Sequence, residues 1–117
     1  MENAEDILIS VLETFKFPVR RQGSLLPDEA YPDNLFTFWN NSSSSDKFYD
    51  NKEQIFVYDF DVNFYSCDPA AVYSTLRAAI TRLKQAGFII SGDGYDVASD
   101  EKTHDGRGVN ALYAQKI

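Results

Sequence analysis

The stretch Ile55–Ser66 constrains this chain most. Phe56, Tyr58, Phe60, Val62 and Phe64 alternate with Val57, Asp59, Asp61, Asn63 and Tyr65, and period two over that length marks a strand with one buried face. The aromatic row must be the inward one. Each large apolar side chain contributes about 1.5–3 kcal/mol on burial. A slip of one residue would instead bury Asp59 and Asp61, and an unpaired buried carboxylate costs several kcal/mol.

Such a strand needs helices over its apolar row, and the sequence supplies two. Ile7, Leu8, Val11, Leu12 and Phe15 recur at helical spacing, with Glu2, Glu5 and Asp6 near the positive end of the dipole. Pro18 disfavours helical geometry at Phe17, so this helix is expected to stop about there. Asp68-Pro69 opens a second helix, Asp as N-cap and Pro at the first helical position. Val72, Leu76, Ala79, Ile80 and Leu83 form its buried stripe, Arg77, Arg82 and Lys84 stay in water, and Gly87 is the natural stop.

The remaining segments read as strands and connections. A short extended piece is expected around Val19–Gln22, followed by an irregular arm with Pro27, Asp28 and Pro32. Leu35–Asn40 is a strand with Phe36 and Phe38 on one face and Leu35, Thr37 and Trp39 on the other. Asn41–Lys52, with the run Ser42–Ser45, reads as a long polar loop. Phe88–Ile90 resumes as a strand, Gly92-Asp93-Gly94 turns, Tyr95–Val97 continues the pairing, Ala98–Gly108 is a second polar loop, and Val109–Lys116 is the last strand. The fold class is α+β: a mostly antiparallel sheet of four or five strands with two helices packed on one face, in the order α-β-β-(β)-α-β-β.

With 117 residues, 44% of them hydrophobic, the chain fits one domain with its own core. Cys67 is the only cysteine, so no internal disulfide is possible; Met1 leads into Glu2, Asn3, Glu5 and Asp6, which is not the basic-then-apolar pattern of a signal peptide, and no apolar run approaches about 18 residues. Folding in a reducing cytoplasm is the expectation. A formal charge of −7 disfavours general binding to nucleic acid or anionic membrane.

Candidate chemistry is sparse. His104 sits beside Asp105, but no nucleophile-elbow or protease signature surrounds any Ser or Cys that would complete a triad. Cys67 lies at a strand-to-helix junction, where a small residue packs easily. Asp59-Phe60-Asp61-Val62-Asn63 has the alternate oxygens of a calcium loop, yet Phe64 stands where the turn requires glycine and Ala70 where the bidentate glutamate belongs. On a strand the two carboxylates project from one face about 7 Å apart, twice the strand rise. The pairs Gly92/Gly94 and Gly106/Gly108 lack a nucleotide fingerprint's third glycine and read as turns. No catalytic residue, metal or cofactor is assigned. Arg20-Arg21, too short for a nucleic-acid patch, stands at a solvated edge or pairs with acidic residues of another subunit.

Three stretches together carry a family resemblance. They are Phe17-Pro18-Val19 running on to Gln22-Gly23-Ser24 and Phe36-Thr37-Phe38-Trp39-Asn40-Asn41; Tyr58-Asp59-Phe60-Asp61-Val62-Asn63-Phe64-Tyr65; and Ala86-Gly87-Phe88 on to Gly92-Asp93-Gly94-Tyr95-Asp96-Val97 and Thr103-His104-Asp105-Gly106-Arg107-Gly108. Over nearly its whole length the chain resembles the tail terminator (tail-completion) proteins of long-tailed phages and prophages of Gram-positive bacteria. The resemblance implies an antiparallel sheet with helices on one face and no catalytic motif. It further implies a ring, commonly of six subunits, that caps the tail tube and then receives the head in the virion. Partners would be further copies of the chain, the tail-tube protein and a head-completion or connector protein. DNA would pass through the ring without specific binding, and the free protein is a monomer or an oligomer. Candidate contact residues are Arg20, Arg21, Lys47, Asp59, Asp61, Asn63, His104 and Arg107, with Asp59 and Asp61 lining either a channel or a subunit contact. The alternatives are a head–tail connector or head-completion protein, a small hydrolase using Cys67 or His104, and an acidic inhibitor that mimics DNA.

Overall fold

The computed structural model of the chain describes residues 4–21, 32–49, 53–98 and 103–116, and of residues 42–49, 53–56 and 115–116 the backbone alone. The elements are α1 (Ala4–Glu13), β1 (Val19–Arg21), β2 (Asn34–Tyr49), β3 (Glu53–Ser66), α2 (Pro69–Gln85), β4 (Tyr95–Val97) and β5 (Asp105–Lys116). The strands form one sheet in the order β1-β2-β3-β5-β4. All neighbours are antiparallel except β1 and β2, which run parallel. The fold is therefore α+β with a mostly antiparallel sheet. The parallel pair is possible because the stretch between Arg21 and Asn34 is long enough for the chain to return.

Period two sets the core. Phe60, Val62 and Phe64 of β3 are fully buried, with Phe36 and Phe38 from β2 and Val109 and Ala111 from β5 beside them. The helices cover this row through Ala4, Leu8 and Leu12 of α1 and Val72, Leu76, Ala79, Ile80 and Leu83 of α2. Rings link the layers: Phe36 lies 4.7 Å from Phe64 and 5.5 Å from Phe15, and Phe88 lies 4.8 Å from Tyr113. Tilted pairs at such distances add roughly 0.5–1.5 kcal/mol each beyond their burial.

Local chemistry fixes the ends of α2. The Asp68 side chain accepts from the Ala70 N–H at 3.1 Å, and Ser66 Oγ accepts from the Asp68 N–H at 3.0 Å. At the far end Gly87 adopts φ 106°, which lets the Phe88 N–H reach back to the Leu83 carbonyl at 3.0 Å. The helix α1 ends at Glu13, earlier than Pro18 requires. Residues Thr14, Phe15 and Lys16 continue as tight turns, each N–H bonded three residues back, and Lys16 reaches φ 68°.

Four expectations change. First, Asn41–Tyr49 is strand, not loop: β2 runs on and pairs with β3 from Asp59 back to Glu53, with register shifts at Asn40/Ser42 and Ser45/Lys47 that mark bulges. The serine run lacks alternation, and its strand geometry is imposed by the partner. At about 3.3 Å per residue, β2 is about as long as the molecule's greatest extent, 53 Å. Second, Phe88–Ile90 is not a paired strand but a single bridge, Ile89 to Leu112. Third, Asp105–Gly108 belongs to β5, so the last strand starts four residues before Val109. Fourth, the opposite face of the sheet, which Asp59, Asp61 and Asn63 lead us to expect either solvated or given to a partner, is in part buried within the chain itself. Leu35, Thr37 and Tyr65 on that side are buried, as is His104. The expectations for residues 22–31, 50–52 and 99–102 lie outside the described residues.

Candidate functional site

Strand register maps the face that the helices leave uncovered as a series of cross-strand rows. Leu35, Tyr65, Gly106 and Val97 make the first; Arg20, Thr37, Asn63, Gly108 and Tyr95 the second; Trp39, Asp61 and Asn110 the third; Asp59, Leu112 and Ile89 the next. The first row is closed. The Pro32 carbonyl, which can only accept, takes a hydrogen bond from His104 Nε2 at 2.8 Å, and Thr103 Oγ1 lies 2.9 Å from Nδ1. In the tautomer that bears its proton on Nε2, Nδ1 can accept from the Thr103 hydroxyl. Gly106 makes the close approach possible, because a Cβ there would lie 2.6 Å from the Tyr65 ring.

Further along, the face opens around two carboxylates. Asn110 Nδ2 donates to Asp59 Oδ1 at 2.5 Å and to Asp61 Oδ1 at 3.2 Å, and Asn41 Nδ2 reaches Asp59 at 3.3 Å. The Tyr95 hydroxyl donates to Asp61. Burial, then the negative charges of Asp61 and Asp59, hold the Tyr95 phenol above its ordinary pKa. Large apolar groups rim the set: Trp39 is 50% exposed, Tyr95 46% and Ile89 59%. Carboxylates satisfied by amides and flanked by exposed rings suit recognition of a protein surface rather than bond-making chemistry.

The sequence-derived candidates separate. Asp59, Asp61 and Asn63 share the open face with Arg20, which stands on the β1 edge two strands from Asp61. Arg21 turns to the helix side, ion-paired with Glu5 and 5.2 Å from the Phe38 ring centroid. Lys47 pairs with Ile55 in the β2–β3 hairpin. His104 is buried. Arg107 crosses a groove of about 390 Å³ between α2 and β4–β5, lined among others by Pro69, Val72, Tyr73 and Val97. Its guanidinium bonds Asp96 at 3.2 Å and the Asp93 and Gly94 carbonyls at 3.3 Å, and lies 5.2 Å from the Tyr73 ring centroid. Its charge is already engaged there. Cys67 is exposed at the β3–α2 junction. Among the described residues, no three His, Cys, Asp or Glu side chains gather as a metal cluster, and no helix is long and apolar enough to cross a membrane.

Sequence reading missed Asn110 and Tyr95, the groups that knit the carboxylates together. Neither has a local signature; only the register of β5 and β4 brings them to Asp61. In comparison with known proteins, no family model matches the chain and no curated protein aligns with it.

Proposed function

We propose that this chain is a structural protein of a long-tailed phage or prophage that forms an oligomeric ring on the end of the tail tube and joins the tail to the head. The reading takes its name from the tail-terminator resemblance. The observation that carries it in the molecule is the open sheet face, where Trp39, Tyr95 and Ile89 stand exposed beside the Asp59–Asn110–Asp61 set. Apolar groups gathered on one side with polar neighbours mark contact surfaces. On this reading the protein is non-catalytic, resides at the head–tail junction, and lets DNA pass without specific contacts because like charges repel.

Two observations favour assembly over the other readings. A hydrolase built on His104 needs an imidazole that a substrate can reach, with a carboxylate to orient it, whereas this ring is buried and its Nε2 sits against the Pro32 carbonyl. A DNA mimic needs carboxylates spread along a surface at phosphate-like spacing, whereas Asp59 and Asp61 are drawn together by one amide and interleaved with aromatic rings.

Electron microscopy of the purified protein, alone and mixed with tail tubes, tests the proposal. Rings closing one end of each tube are expected, and a phage lacking the gene should yield tails of irregular length unattached to filled heads. Binding to isolated head connectors but not to tubes would move the protein to the neighbouring layer. Turnover of a small compound, abolished by alanine at Cys67 or His104, would overturn the proposal.

A further inference from the structure

The helix α2 is the electrostatic opposite of the open sheet face. Between Pro69 and Gln85 it carries Arg77, Arg82 and Lys84 and no acidic residue, in a chain of net charge −7. Its apolar stripe is buried against the sheet, so Tyr73, Arg77, Thr81 and Lys84 form the outward stripe, all exposed. Arg77 is held over the Tyr73 ring at 5.5 Å from its centroid, with Nη1 3.3 Å from the hydroxyl. Arg82 instead leans sideways onto Phe15 and donates to Thr14. The neighbouring α1 is acidic, through Glu5, Asp6 and Glu13, with Glu5 paired to Arg21. The basic stripe therefore belongs to α2 alone.

We infer that copies of this chain associate head to tail, the outward stripe of α2 in one copy seated on the Asp59–Asp61 face of the next. The inference rests on the ring reading and names the surfaces that meet. Copies of a chain this acidic repel one another unless opposite patches face each other. The two patches lie on opposite sides of the helix-on-sheet layer, so each copy offers one of each kind. Such a contact is heterologous and propagates, and it closes into a ring when the faces are inclined, whereas a self-complementary patch would stop at two copies. Trp39 and Tyr95 flank the carboxylates where the Arg77 guanidinium and the Lys84 stem would enter, a combination favoured at the centres of interfaces. Arg20, also on the open face, lies at its far edge and leaves the Asp59–Asp61 centre acidic.

Charge reversal tests this directly. D59K/D61K makes both surfaces basic, and R77E/K84E makes both acidic. All four positions are on the surface, and circular dichroism checks the fold of each variant. By sedimentation velocity at low salt, each variant alone is expected to self-associate at least about tenfold more weakly than the unaltered chain. An equimolar mixture should recover assembly, because every contact in it again joins opposite charges. In the unaltered protein, carbodiimide, which joins only touching amines and carboxylates, should link Lys84 to Asp59 or Asp61 between isotopically distinct copies, alone or on tail tubes. Variants that associate like the unaltered chain, a mixture that does not recover, or Asp59 and Asp61 linked to tube-protein lysines instead would overturn the inference. Should rings form on tubes regardless of either reversal, this inference fails while the proposed function stands. Should the folded, unaltered chain form no ring on tubes, the proposed function fails with it.

Discussion

Neighbouring residues on one backbone meet opposite fates in β3. Phe60, Val62 and Phe64 are sealed under α1 and α2, while Asp59, Asp61 and Asn63, each one residue away, face a row of amides and half-open rings. The inward set makes the fold stable through burial and packing density, where a lost methylene is felt. The outward set makes few demands on stability and is free to be specified by what it meets. Because side chains alternate strictly along a strand, one segment can carry both assignments without conflict.

Substitutions that strike one face should therefore differ sharply from those that strike the other. Phe64→Ala removes a fully buried ring that packs on Phe36 and Phe17, and a loss of about 3–5 kcal/mol is expected from denaturant titration. If the loss were near that of a surface change, the helix-covered face would not be the core. Gly106→Ala probes the closed end of the other face: the new methyl would press on the Tyr65 ring and on Val97. Overpacking of this kind should cost about 1–3 kcal/mol, and an unchanged unfolding midpoint would mean that this row is loosely packed. Asp68→Ala deletes the cap of α2 without touching either face, and about 1 kcal/mol should be lost.

The smallest effect is expected at Tyr95, on the open side. Its phenol is held above its ordinary pKa by burial and by Asp61 and Asp59. The folded state thus binds this proton more tightly than the unfolded chain does. The associated stability is fully present below the ordinary tyrosine value and is lost as pH rises through the folded one. The difference between the tyrosinate absorbance titrations of the unaltered protein and Tyr95→Phe should place this group above the ordinary value. A midpoint at or below that value would mean that neither the burial of the phenol nor the charges of Asp61 and Asp59 act on it.

Where period and chemistry are local, the sequence was a sufficient guide. The alternation in β3, the stripe Val72–Leu76–Ala79–Ile80–Leu83 and the Asp68-Pro69 start of α2 all appear in the structure. Where structure is imposed by a partner, it was not. The segment Asn41–Tyr49 has the composition of a loop and becomes strand because β3 offers it a ladder. Gly106 and Gly108 look like turn residues and serve instead as gaps that admit Tyr65 and Asn63. The candidate face was half legible: Asp59 and Asp61 follow from period two, but Asn110 and Tyr95 arrive from distant strands whose register no local pattern encodes.

The central claim is that the helix-free face is kept for assembly, and Trp39 reports on it directly. It is the sole tryptophan, stands on that face opposite Asp61, and is half exposed in the single chain. Its fluorescence should be recorded with acrylamide quenching, first for the protein diluted until sedimentation shows single chains and then for the protein assembled as rings on tail tubes. On binding, the emission is expected to move to shorter wavelength and the quenching to fall, as the indole leaves water. An emission maximum and a quenching constant that stay unchanged when the protein is bound would contradict the account.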